Sequence, residues 1–294
     1  MKTYTFEPRL CELLVKLAEG ERSVEILRQV LCEERSFEPM SAFMSLDSLS
    51  LGYLLPSNIR NFLSLHSIPA TDLGLYLLIK QYDSSCRGKL SLMDFHNLTL
   101  SAALPKLRRH VLKKPQKLRG KMEYPVSYTL AKLLEKELRL MCSLEEIKHQ
   151  LCSTKDYSFL KAFECLDRKR KGYITDWDVC RFVEDNKNFL VKEDLDAIIR
   201  RLDSSGDGVV SYTEFIDFIL PLSKGLPSFA AVQKSTVEPL IIEENLRQKS
   251  TQTEKSYLGK ISRIEGKLFA NKKLYPGKIK RRMIPRKLRF DTEK

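Results

Sequence analysis

The chain has 294 residues, 43% of them hydrophobic, and a formal net charge of +13 from 51 Lys and Arg against 38 Asp and Glu. That length predicts about two domains, and that apolar share suffices for packed cores, which excludes wholesale disorder. No apolar run approaches the roughly 18 residues of a membrane span, and "MKTYTFEPRLCELL" at the N-terminus lacks the apolar stretch of a secretory signal.

Seven cysteines form no C-x-x-C pair and no zinc-like spacing with the four histidines. Reduced, mostly buried thiols and an intracellular protein are expected. The positive charge is concentrated. Residues 105–121, "PKLRRHVLKKPQKLRGK", carry eight Lys and Arg and no acid, and residues 255–289 carry thirteen against Glu265 alone. The rest of the chain is therefore net negative, at −7.

In chain order, the first extended feature is "SVEILRQVLCEERSFEPMSAFMSLDSLSLGY" at 23–53, which aligns without a gap on "SLEEIKHQLCSTKDYSFLKAFECLDRKRKGY" at 143–173. Ser23, Glu25, Leu31, Cys32, Ala42, Phe43, Leu46, Asp47, Gly52 and Tyr53 recur 120 positions later, and the same shift sets Asp83 on Asp203, Gly88 on Gly208, Ser91 on Ser211 and Phe95 on Phe215. One interval held for so long predicts an internal duplication. Each copy reads as helical. Ser143 with Glu146 forms a capping-box pattern before Leu144, Ile147 and Leu151. Phe159, Phe163 and Leu166 make a helical stripe entering one loop, and Phe215, Phe218 and Ile219 one leaving another. An all-α fold is expected, divided into a lobe at 1–102, a basic linker at 103–123, a second lobe at 124–222 and an extended basic tail at 223–294.

The last loop of the second copy lies in "RRLDSSGDGVVSYTEFIDFI". Oxygen donors fall at places 1, 3, 5, 7, 9 and 12 of a twelve-residue loop: Asp203, Ser205, Asp207, the carbonyl of Val209, Ser211 and Glu214. Gly208 allows the sharp turn at place 6, and Val210 can pair with a partner loop. A hard divalent cation wants about seven such oxygens. This segment resembles an EF-hand, and residues from about 37 to 220 resemble two EF-hand pairs in tandem. The resemblance implies one Ca2+ site at 203–214, with Glu214 favouring calcium over magnesium.

The other three loops depart from the pattern. Loop one, from Asp47 to Asn58, offers Leu49, Leu51 and Leu55 where oxygens belong. Loop two, from Asp83 to Asp94, places Arg87 at place 5 and the short Asp94 at place 12. Loop three, from Asp167 to Asp178, holds Lys169 and Lys171 at places 3 and 5. A lysine about 5 Å from a divalent ion is repelled by several kcal/mol even at an effective dielectric of about 20. Loops one to three are expected to be empty and retained as packing partners. Either the two lysines replace the ion or they are plain solvated charges.

Both basic segments interleave charge with apolar residues and prolines, which favours extended strips over an amphipathic helix. Arg108, Arg109, Lys113, Lys114, Lys117 and Arg119 in the linker, and Lys278, Lys280, Arg281, Arg282, Arg286, Lys287 and Arg289 in the tail, are the candidate partner contacts. Nucleic acid is disfavoured because an acidic body is a poor carrier for it, and a membrane surface is a second acceptor for a polybasic tail. Basic linkers after each pair loosely resemble EF-hand proteins of axonemal doublet microtubules. This resemblance implies a non-enzymatic structural protein on an acidic tubulin lattice, located in the cytoskeleton or a cilium. The alternative is a calcium-responsive adaptor that binds a target helix. No phosphate loop, H-E-x-x-H, G-x-S-x-G or other catalytic set occurs, and His66, His96, His110 and His149 stand isolated.

Overall fold

The computed structural model describes residues 4–115 and 122–222 and, in the tail, 259, 260 and 263. Helix α1 (Glu7–Glu33) starts with Pro8 in its first turn and buries Leu10, Leu13, Leu14, Leu17, Val24, Leu27 and Leu31, one stripe at helical spacing. At 27 residues it is about 40 Å long. The first pair follows as α2 (Pro39–Leu46), α3 (Pro56–Leu65), α4 (Asp72–Tyr82) and α5 (Leu92–Thr99). A short α6 (Pro105–Leu112) leads toward α7 (Tyr124–Cys152). The second pair is α8 (Phe159–Leu166), β1 (Tyr173–Ile174), α9 (Asp176–Asp185), α10 (Lys192–Leu202), β2 (Val210–Ser211) and α11 (Tyr212–Ile219).

The two pairs repeat each other at an interval of 120 residues. Each helix of the second pair starts and ends 120 positions after its counterpart. The bridge between Leu54 and Leu90 in the first pair becomes the antiparallel β1–β2 contact of Ile174 with Val210 in the second. Positive φ angles follow the same rule: Gly52 and Gly88 correspond to Gly172 and Gly208. Aromatic packing does so too. The Phe43 and Phe95 rings meet edge to face at 5.7 Å, as do those of Phe163 and Phe215.

Two expectations are overturned. Ser143 does not begin a helix. It sits inside α7, where its hydroxyl donates to the Leu140 carbonyl at 2.9 Å, because Val126, Leu130, Leu134, Met141, Leu144 and Leu151 sustain one buried stripe past it. The start of the basic linker is also a helix. Pro105 lies in the first turn of α6, where a missing N–H costs nothing, and Pro115 comes only after its end.

A single core crosses the expected lobe boundary. Helix α1 packs on α7 and also on α8, α9 and α10 of the second pair. A Cβ at Gly20 would overlap the buried Leu140 side chain, which marks how closely α1 and α7 approach.

Candidate metal centre

Every loop keeps its first aspartate, and the structure gives the reason. Asp47 accepts from Leu51 N at 3.0 Å and Gly52 N at 2.7 Å. Asp167 accepts from Lys171 N and Gly172 N at the same distances. Asp83 takes Gly88 N at 2.6 Å, and Asp203 takes Gly208 N at 2.8 Å. The place-1 carboxylate thus holds the turn together through its own amides, whether or not the loop has a ligand set.

Place 12 separates the loops. In loop one Asn58 is neutral, accepting from Leu55 N at 2.8 Å and donating to the Leu46 carbonyl at 3.1 Å. In loop two Asp94 accepts from Ser91 N at 2.8 Å and Ser91 Oγ at 2.7 Å. In loop three Asp178 is buried, and Lys171 Nζ reaches its Oδ2 at 2.5 Å. Burial pushes the Asp178 carboxyl pKa up, but Lys171 and Thr175 outweigh this and hold it below the ordinary value. Lys171 therefore sets a positive charge directly on the place-12 carboxylate. Lys169 turns away and lies over the Trp177 ring, 4.7 Å from its centroid.

Loop four is the only loop with an all-oxygen donor set at every place. Glu214 Oε1 accepts from Ser204 N at 3.0 Å and Ser205 N at 2.9 Å, and Oε2 accepts from Ser211 N at 2.9 Å. Burial raises the Glu214 pKa, yet these donors win and hold it down at about 2. Asp207 accepts from Val209 N at 3.0 Å, and Ser205 Oγ donates to Asp203 at 3.2 Å. Among the described residues no three His, Cys, Asp or Glu side chains gather as a metal cluster. The loop amides satisfy the carboxylates instead. The donor chemistry fits a hard, oxygen-seeking cation that would replace those amides.

Sequence reasoning missed a buried ionic hub beside this loop. Arg201, two residues before Asp203, has a side chain only 5% exposed. It pairs with Glu21 at 3.0 Å and Glu137 at 3.0 Å and donates to the Tyr82 hydroxyl at 2.7 Å. Arg28 donates to Glu137 at 2.9 Å, Tyr82 at 2.7 Å and the Leu98 carbonyl at 3.0 Å. Burial alone would lower the Arg201 pKa, but Glu137, Glu21 and Tyr82 carry it well above its ordinary value. Glu137 is held low by Arg201 and Arg28 against its burial. The hub ties α1, α4, α7 and α10 together. Its trace in the sequence is Glu21, Glu25 and Arg28 falling within the apolar stripe of Val24, Leu27 and Leu31.

The repeated Glu25 and Glu145 are equivalent anchors. Glu25 accepts from Ala102 N at 3.1 Å, and Glu145 accepts from Leu222 N at 2.5 Å, 120 residues on in both donor and acceptor. Each fixes the chain where it leaves its pair.

The basic candidates divide. Arg108 is spent on α5, donating to Asn97 Oδ1 at 2.8 Å, and Lys114 Nζ caps carbonyls of Glu34 at 2.8 Å and Phe37 at 3.0 Å. Both are half-buried and engaged within the chain. Arg109 and Lys113 are exposed. Lys117, Arg119, Lys278, Lys280, Arg281, Arg282, Arg286, Lys287 and Arg289 lie outside the described residues. All seven cysteines are free thiols, and no described helix is long and apolar enough to cross a membrane.

Residues 156–220 match the EF-hand domain pair. Troponin C isoform 2A of Homarus americanus is 24% identical over 189 residues, covering 64% of this chain and 97% of that protein. Isoform 2B from the same species is 24% identical over 60% of this chain and 89% of its own length. Calglandulin of Bothrops insularis is 31% identical over 75 residues, 25% of this chain and 47% of that protein.

Proposed function

We propose, from the premise that residues 156–220 are an EF-hand domain pair, that this is a non-enzymatic calcium-binding structural protein that docks on an acidic polymer lattice. Asp203, Ser205, Asp207, the Val209 carbonyl, Ser211 and Glu214 would surround one Ca2+. The lattice we have in view is the axonemal microtubule, with the protein in the cytoskeleton or a cilium. Arg109, Lys113 and the basic residues of the tail act as staples, each weak alone and strengthened by the others' proximity.

The observation that carries this reading is the covering of the second pair. Helix α1 lies against α8, α9 and α10, and Arg201 fixes α10 to α1 and α7 through Glu21 and Glu137. An adaptor needs an apolar face free for a target helix, and here the chain's own long helices fill that place. The intact donor set of loop four is what favours the second reading, a calcium-responsive adaptor.

Sedimentation with microtubules separates the two, both on finished polymer and during co-assembly. The expected result is pelleting that weakens with salt and is unchanged by Asp203→Ala/Glu214→Gln. It should be lost when Lys280, Arg281, Arg282, Lys287 and Arg289 are changed together to Gln. Pelleting that follows calcium, or none under either protocol, sinks the lattice reading in favour of the adaptor.

A further inference from the structure

The end of α1 is an unusual helix terminus. Its last turn has no basic residue, and Glu33 and Glu34 stand beside carbonyls that carry the negative end of the helix dipole. Three cations from two distant basic segments converge there. Lys114 of the linker takes the carbonyls of Glu34 and Phe37. From the tail, Lys260 pairs with the Glu34 carboxylate and Arg263 with that of Glu33. Residues 259, 260 and 263 are helical, so Lys260 and Arg263 share one face. Lys260 lines a groove of about 520 Å³ together with Glu33, Glu34, Arg35, Ser36 and Glu123.

We propose that this acidic helix end is an intramolecular seat for Lys260 and Arg263 of the basic tail, holding them through Lys260–Glu34 and Arg263–Glu33 until an acidic partner competes for them. The seat stands on the ion pairs themselves; the identity of the competitor rests on the lattice reading above. Glu33 and Glu34 imitate the acidic surface that the tail would meet on a polymer. Seated, Lys260 and Arg263 are withheld from weak or solitary acidic encounters. A dense array of carboxylates displaces them, because many contacts are offered at once. Both pairs are partly exposed, so the seat should respond to ionic strength.

Hydrogen exchange on the full chain tests this. Reversing one side, with Glu33→Lys/Glu34→Lys or with Lys260→Glu/Arg263→Glu, should speed amide exchange across 259–263 roughly three- to tenfold. Combining all four substitutions should restore protection, since the attraction is only inverted. In unmodified protein, about 0.5 M salt or added polyglutamate should also speed exchange there. Unchanged exchange after either reversal, or a combined variant as fast as the single reversals, overturns the seat. Protection at 259–263 in protein that fails to pellet with microtubules supports the seat while sinking the lattice. Pelleting with no protection does the opposite.

Discussion

The first pair, from α2 to α5, and the second, from α8 to α11, share one backbone plan and differ in what their side chains do with it. Helix bounds, turn glycines, loop bridge and edge-to-face phenylalanines coincide at 120 residues' separation. Yet the loops hold leucines in one case, an arginine in another, lysines in a third, and only in 203–214 a full set of oxygens. The comparison teaches that the loop geometry does not depend on an ion. A place-1 aspartate bonded to its own turn, a left-handed glycine at place 6, and a backbone bridge at place 8 are enough. Ligand chemistry is a separate layer, since three loops keep the shape without a full set of oxygen donors.

The sharpest difference between the pairs lies just before the last loop. Arg201 on α10 corresponds to Gln81 on α4, and only Arg201 enters the buried hub. Arg201→Ala leaves Glu21 and Glu137 short of a partner in the core and should cost about 3–5 kcal/mol of folding stability. Gln81→Ala, at a half-buried position, should stay within about 0.5 kcal/mol. Urea unfolding of both variants checks the contrast. Equal losses would mean that the hub does not distinguish the two halves.

A smaller effect is expected inside loop three, where Lys171 stands in for a cation. Lys171→Met leaves the buried Asp178 without its charged partner and should cost about 1–3 kcal/mol near neutral pH. The sign with pH follows from the depressed Asp178 pKa. Its contribution is fully present above the unfolded carboxyl pKa of about 3.9 and is lost as pH falls through the lower folded value. In the variant only Thr175 is left to oppose burial, so that pKa rises relative to the unmodified protein. The stability gap between the two proteins should therefore be widest above about pH 4 and close as the solution is acidified below it. A gap independent of pH would assign the loss to packing of the lysine stem.

What was legible beforehand follows from the same separation of layers. Fold class, four loops, their pairing and the 120-residue interval stand in local signals: place-1 aspartates, turn glycines and helical apolar spacing. The Val210 pairing was readable because place 8 is apolar in all four loops. The joint between the halves was not readable. Glu21 and Arg28 stand within an apolar stripe, but nothing local pairs them with Glu137 and Arg201, and only tertiary packing brings the four together. Ser143 misled for a related reason, since a local capping pattern was overridden by a buried stripe running through it. Lys114 and Arg108 read as free basic charge because sequence does not show that α1 ends, and α5 passes, within their reach.

The finest cut divides the two lysines of loop three. Lys169 sits over the Trp177 ring at 4.7 Å, but Arg181 lies over the same ring at 5.0 Å, so the ring keeps a cation if Lys169 is removed. Exposed cation–π contacts are worth about 0.5–1 kcal/mol, and sharing should reduce that further. Lys169→Ala is therefore expected to lower stability by less than about 0.5 kcal/mol, several-fold below Lys171→Met. A double-mutant cycle with Trp177→Leu measures the coupling directly. If Lys169→Ala matched Lys171→Met, the loop's charge as a whole would be its support. A difference of the expected size assigns the ion's former task to Lys171 alone, through one carboxylate at place 12.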